Sequence, residues 1–139
     1  MTTTERRGAL LLASAAVIFG LFALGYLLAP ERLTKSFSIE YGAIGATDIR
    51  ATYGGLQAGV AIFLLWSSRS AERIRGGLVI LLSTTLAVAV FRGAGVIGTG
   101  LLGPHWIGFA FELPLALLSA WGLQSSRATT PADPRESSG

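Results

Sequence analysis

The stretch His105–Leu123, HWIGFAFELPLALLSAWGL, decides the fold because it is long and apolar enough to cross a bilayer yet carries a carboxylate, Glu112. A helix needs about 20 mainly apolar residues to span the roughly 30 Å hydrocarbon core. Inside lipid the backbone must satisfy its own hydrogen bonds, which favours a helix for such a run. An ionisable residue there is a functional hypothesis by default. We therefore predict a transmembrane helix that contains a functional acid.

Three earlier apolar segments extend this prediction to an all-α membrane protein, a four-transmembrane-helix bundle within residues 1–124. The predicted helices cover about 8–29, 47–66, 76–97 and 105–123. The longest connection, residues 30–46, combines charges with Leu33 and Phe37 at i,i+4 spacing, which fits either a short interfacial helix or an ordinary loop. Residues 125–139 are rich in Ser, Thr, Pro and charge, so we expect a disordered tail.

Composition supports the membrane class and excludes several chemistries. Of the 139 residues, 51% are hydrophobic and 14% are charged, against about a quarter charged in soluble domains. Cysteine is absent and His105 is the single histidine, so we expect no thiolate nucleophile, no metal site and no cofactor. The net charge of +3 does not indicate nucleic-acid binding, because the basic residues flank apolar segments. The expected partners are the lipid bilayer and a small lipophilic ligand.

The distribution of Lys and Arg predicts the orientation. Basic residues precede the first helix, separate the second from the third and follow the fourth (Arg6, Arg7, Arg69, Arg73, Arg75 and Arg127). The opposite side has Arg32 and Lys35. Positively charged loops stay in the cytoplasm, so both termini, including the tail, are predicted to be cytoplasmic.

Four charged residues are predicted at similar depth in the outer half of the bundle. Asp48 and Arg50 open the second helix, Arg92 lies late in the third, and Glu112 lies about 10 Å into the fourth at a rise of about 1.5 Å per residue. Their formal charges sum to zero, as a desolvated site requires, because an unpaired buried ion is costly. Glu112 and Asp48 are the candidate catalytic residues, and Arg50 and Arg92 are candidate ligand-binding residues.

Helical spacing adds polar groups to this cluster. Arg50, Tyr53 and Gln57 share one face of the second helix, and His105 shares a face with Glu112 on the fourth. Tyr53, Gln57 and His105 are therefore predicted to bind the ligand too. Pro114 cannot donate to the carbonyl of Ala110, which frees that acceptor near the acid.

Plainer structural roles compete with each assignment. Asp48 or Thr47 fits a helix N-cap. Arg50 and Arg92 have side chains long enough to snorkel to headgroups. Glu112 fits a structural ion pair with either arginine, and His105 fits an interfacial position after Pro104. The Gly55-x-x-x-Gly59 pattern predicts close helix packing, either within the bundle or in a homo-oligomer.

The run Asp48–Gly55, DIRATYGG, resembles the bacterial membrane-protein family of unknown function numbered 4345, whose members open their second helix with D-x-R-A-x-Y-G-G. The family's Arg-Gly pair in the third helix and glutamate in the fourth match Arg92-Gly93 and Glu112, so the resemblance covers about residues 8–123. It implies a four-helix protein of the bacterial cytoplasmic (inner) membrane in which the four charges form one shared feature. A more distant similarity to the DoxX-like proteins implies the same architecture.

Three functions fit these predictions. The first is an intramembrane site that binds a small lipophilic molecule of isoprenoid, quinone or polyketide type, with Glu112 as the acid in an isomerisation or cyclisation without cofactor. The second is proton or small-solute transport through Glu112. The third is a structural accessory subunit in which the ion pairs set helix register.

Overall fold

The computed structural model describes residues 1–35, 41–100 and 103–127, and these residues form helices joined by short turns, with no strand among them. The elements in chain order are α1 (Thr3–Leu28), α2 (Pro30–Lys35), α3 (Ala43–Ile49), a π-helical segment (Arg50–Gly55), α4 (Leu56–Ser67), α5 (Ala71–Thr99), a 3-10 turn (Gly103–His105) and α6 (Trp106–Arg127).

Local sequence signals explain where the long helices begin and end. α1 starts with a capping box, in which the Thr2 hydroxyl accepts from the Glu5 amide and the Glu5 carboxylate accepts from the Thr2 amide. α5 ends at Thr99 and is capped by Gly100, whose φ of 71° lies in the left-handed region that glycine adopts without steric cost. α6 continues through Pro114, which lies inside the helix.

Within the described residues, three helices are long and apolar enough to cross a membrane, namely α1, α5 and residues Trp106–Ser125 of α6. All three overlap predicted spans. α1 begins five residues earlier than predicted, α5 extends beyond both predicted limits, and α6 continues past residue 123. The residues predicted as the second span are also helical, but their helix is continuous from α3 through the π-helical segment to α4. Its three parts have seven, six and twelve residues, and each is short by itself.

Two predictions about the connections have partial outcomes. Residues 30–35 form the short helix α2, which includes Leu33, whereas Phe37 lies outside the described residues. The predicted disordered tail also lies largely outside them, since the description ends at residue 127. Residues 125–127 are the last residues of α6.

The helices pack in two antiparallel pairs, α1 with α4 and α5 with α6, and α1 also contacts both members of the second pair. The core lies in the half of the bundle that holds the start of α1 and the turn between α4 and α5. Its buried residues are Leu12, Ala15, Ala16, Leu64, Ile74, Leu78 and Leu81. We call this the packed half.

Glycine makes the packing of this half possible at Gly77. A Cβ at Gly77 would lie 2.6 Å from Leu12 Cδ1 and 2.8 Å from Ser67 Cβ. The neighbouring Gly76 has nothing within 4 Å of the same position. α1, α4 and α5 therefore approach each other closely around Gly77.

Large apolar side chains cover the outside of the bundle. Exposed leucines, isoleucines, valines and aromatics occur on every long helix, for example Leu21, Ile62, Phe91 and Leu117. An apolar surface of this extent marks a contact with membrane or protein. Together with the three membrane-length helices, it supports a membrane protein.

Candidate ligand site at the Arg92–Glu112 ion pair

An ion pair between α5 and α6 is the centre of the candidate site. Arg92 Nε donates to both carboxylate oxygens of Glu112, at 3.0 and 3.1 Å, and Arg92 Nη2 donates to Oε1 at 2.6 Å. The side chains are only 21% and 12% exposed. Charge-assisted bonds of this two-pronged form are among the strongest in proteins and fix both side chains. The predicted proximity of these two residues is confirmed.

Gly108 makes room for the guanidinium. It lies one helical turn before Glu112, and a Cβ there would be 2.6 Å from Arg92 Cζ and Nε and 3.0 Å from Nη1. Any larger residue at this position would displace the arginine. Arg92 has three N–H groups that do not bond to Glu112, two on Nη1 and one on Nη2. These three donors can bind a ligand.

A cavity of about 430 Å³ lies beside the ion pair. This volume is within the range of about 300–1,000 Å³ typical of small-molecule sites. Besides the ion pair, two polar side chains line it, Tyr26 and Gln57, among aromatic and aliphatic walls. Its lining comprises Ile18, Phe19, Phe22, Tyr26, Gln57, Val88, Arg92, Ile107, Gly108, Phe111, Glu112 and Leu115. An apolar pocket with a few convergent polar groups is suited to a lipophilic molecule that carries a polar head.

Two other predicted ligand residues lie at or near this cavity. Gln57, in the first turn of α4, lines it. Tyr53 stacks on Tyr26, with ring centroids 5.6 Å apart and planes inclined by 29°. Tyr26 lines the cavity, so Tyr53 supports the wall from behind and is itself about half exposed.

Arg50 does not join the ion pair. Its Nε donates to the carbonyl of Leu27 at 3.2 Å, at the end of α1. Arg50 lines a different groove, of about 450 Å³, between α1 and α4. The expectation that Arg50 faces the same pocket as Arg92 and Glu112 is wrong.

The π-helical segment explains this separation. The predicted common face of Arg50, Tyr53 and Gln57 assumes α-helical spacing, but residues Arg50–Gly55 form π-helical turns. A π turn closes i→i+5 bonds and holds more residues than an α turn. The side chain of Arg50, at the start of the segment, is therefore rotated away from the helix face on which Gln57 of α4 lies.

Asp48 also lies outside the site. It is exposed near the end of α3 and does not line the cavity beside the ion pair. Its alternative role as an N-cap, or that of Thr47, is wrong too, because the helix begins earlier and its N-cap is Gly42. The implied single feature of four charges therefore reduces to two residues, Arg92 and Glu112.

His105 lies on the far side of Arg92. It is in the 3-10 turn before α6, as its predicted position at a helix entrance implies. It lines an open cavity of about 410 Å³ together with Arg92 and residues of α5. Its Nδ1 is buried and has no hydrogen-bond partner within the part of the chain that the structure describes. Arg92 thus has a cavity on each side, and His105 contributes to the one away from Gln57.

Most of the cavity wall is not predictable from sequence. The position of Tyr26 near a segment end is typical of an interfacial anchor, yet the residue is buried and faces the site. Phe19, Phe22 and Phe111 carry no distinguishing signal, because aromatic residues in apolar helices look the same whether they face a pocket or lipid. The sequence feature that points to this wall is Gly108, which shares a helix face with Glu112.

Comparisons of this chain with protein-family models, with curated proteins and with solved structures find no match. The resemblance to the family numbered 4345 therefore stays a prediction carried by the motif of residues 48–55 and by Arg92-Gly93 and Glu112.

Proposed function

We propose that this protein binds a small lipophilic molecule with a polar head, of isoprenoid, quinone or polyketide type, in the cavity beside the Arg92–Glu112 pair. The observation that carries the proposal is the cavity itself, which places the ion pair and Gln57 opposite aromatic walls. The unused N–H groups of Arg92 suit a carbonyl or hydroxyl oxygen, and the amide of Gln57 both donates and accepts. A neutral head fits best because Glu112 already balances the charge of Arg92.

Binding is better supported than catalysis. A general acid must carry a proton and present it to the substrate. Both oxygens of Glu112 accept hydrogen bonds from Arg92, so the carboxylate acts as an acceptor in this arrangement. Isomerisation or cyclisation by Glu112 would require the bound molecule to draw the acid away from Arg92.

The two alternative functions, transport and a structural role, are supported by different observations. Transport requires a path through the other half of the bundle, where Leu12, Leu64 and Leu81 are fully buried against each other. That packing favours a site closed on one side. A structural role for the ion pair is favoured by its two-pronged geometry, and it predicts that the pair matters for stability and the cavity does not.

The membrane arrangement is part of the proposal. We place the continuous helix α3–α4 across the bilayer as the fourth span, with both termini in the cytoplasm of a bacterial inner membrane, because Lys and Arg concentrate at that end. A Cβ at Gly55 or Gly59 would have nothing within 4 Å, so these glycines face outward and suit contact between copies of the chain.

The test uses farnesylacetone, an isoprenoid ketone, and farnesane, a hydrocarbon of similar shape without a polar head. We expect native mass spectrometry of the detergent-solubilised protein to show retention of the ketone and not of the hydrocarbon. Gln57→Leu should weaken retention of the ketone, whereas Gln124→Leu, an exposed position of α6 away from the cavity, should not. Equal retention of both probes, or equal effects of both substitutions, would contradict recognition of the head.

A further inference from the structure

The cavity walls differ in exposure in a way that locates an opening. Phe22 of α1 is 40% exposed, and Ile107 and Phe111 of α6 are each 53% exposed, although all three line the cavity. Val88 of α5 also lines it and is 43% exposed, but Val88 lines the open cavity of His105 as well, so its exposure belongs to that second cavity. Arg92 and Glu112, on the opposite side, are much less exposed. The opening therefore lies between α1 and α6.

Helical spacing shows how α6 builds this opening. Ile107 and Phe111 are at i,i+4 and form one row along the helix, while Gly108 and Glu112 form the adjacent row. The first row is exposed and the second faces the ion pair. A molecule that passes Ile107 and Phe111 therefore reaches the adjacent row, which contains the carboxylate of Glu112.

The gap closes toward the packed half. Leu115 of α6 and Phe19 of α1 line the cavity and also pack against the buried core. The cavity is thus a blind pocket with an apolar side entrance. Since the surface of the long helices is apolar, an opening between two of them faces acyl chains once the bundle is in a bilayer.

We infer that the ligand enters sideways from the membrane through the gap between α1 and α6, with Phe22 and Phe111 on its two sides. This inference rests on the proposed function and specifies the ligand class. The ligand is an amphiphile with one hydrocarbon chain, whose carbonyl or hydroxyl head reaches the ion pair while its chain extends past Phe22 and Phe111 into lipid. A compact water-soluble molecule gains nothing from such an entrance.

Photo-crosslinking tests the entrance. The protein is reconstituted in phospholipid nanodiscs with a farnesylacetone analogue that carries a diazirine at the end of its chain, and labels are mapped with and without excess farnesylacetone. We expect competed labels on Phe22, Ile107 and Phe111. Competed labels confined to α5, around Phe91, would overturn the entrance and leave the proposed binding intact. Absence of any competed label would overturn both.

Side-chain size at the entrance supplies a kinetic test. Phe111→Trp should slow the appearance of competed labelling about tenfold after mixing with probe-loaded vesicles, because a narrower entrance lowers the association rate. Phe111→Ala should not slow it. Leu117→Trp is the control, since Leu117 is 71% exposed on the same helix and does not line the cavity. If Phe111→Trp does not fold, Phe22→Trp narrows the same gap from α1. Equal rates in all folded variants would overturn the entrance.

Discussion

The strongest prediction concerns the coupling between Arg92 and Glu112, measured by a double-mutant cycle. Glu112→Gln removes one charge and leaves the guanidinium of Arg92, which is 21% exposed, without its carboxylate. Arg92→Gln leaves the carboxylate of Glu112, which is 12% exposed, without three hydrogen bonds. The double variant removes both charges and leaves a neutral glutamine amide at each position.

The structure sets the expected magnitudes. Breaking a fully buried ion pair by removing one partner costs about 3–5 kcal/mol. The partial exposure of both side chains reduces this, so each single substitution should lower the free energy of unfolding by about 2–3 kcal/mol. The double variant leaves no unpaired charge and should lose about as much as one single variant. The resulting coupling free energy is about 2–3 kcal/mol, within the range for directly contacting residues.

Equilibrium unfolding in mixed micelles, followed by far-ultraviolet circular dichroism, measures these free energies. The control cycle combines Glu112→Gln with Arg50→Gln, because Arg50 donates to Leu27 and lines the other groove. That pair should be additive within about 0.5 kcal/mol. Coupling of Glu112 to Arg50 as large as its coupling to Arg92 would refute the separation of the charges. Coupling to neither would refute the ion pair.

Two further predictions use neighbouring glycines as matched pairs. Gly77→Ala should destabilise the bundle by about 1–3 kcal/mol through overpacking against Leu12, whereas Gly76→Ala should stabilise it by up to about 1 kcal/mol, and the same unfolding assay measures both. In the π-helical segment, a Cβ at Gly54 would lie 3.4 Å from Tyr26 Cβ and 3.6 Å from the Ala23 carbonyl oxygen, while Gly55 faces open space. These distances are ordinary van der Waals contacts, so Gly54→Ala should be tolerated as well as Gly55→Ala and should leave farnesylacetone retention unchanged. A lower unfolding midpoint in Gly54→Ala than in Gly55→Ala would contradict this packing.

Sequence alone determined the helical, membrane-type fold class and the pair at the centre of the site. Hydropathy fixes helical segments wherever a run approaches the thickness of a bilayer, so the long helices follow from composition and length. An acid in such a run demands a counter-charge, which points to Arg92 as one of two partners for Glu112. These inferences depend on the free-energy cost of burying a charge or an unpaired backbone N–H or C=O group in an apolar environment. That cost does not depend on how the helices are arranged.

Tertiary structure alone decided which other residues belong to the site. The choice between Arg50 and Arg92 depended on helix phase, and residues Arg50–Gly55 form π-helical turns that rotate Arg50 toward Leu27. The aromatic wall depended on which apolar side chains face the gap beside α1 and which face lipid. Hydropathy assigns both the same value, because lipid and a protein interior are equally apolar, so only the packing of the helices separates them.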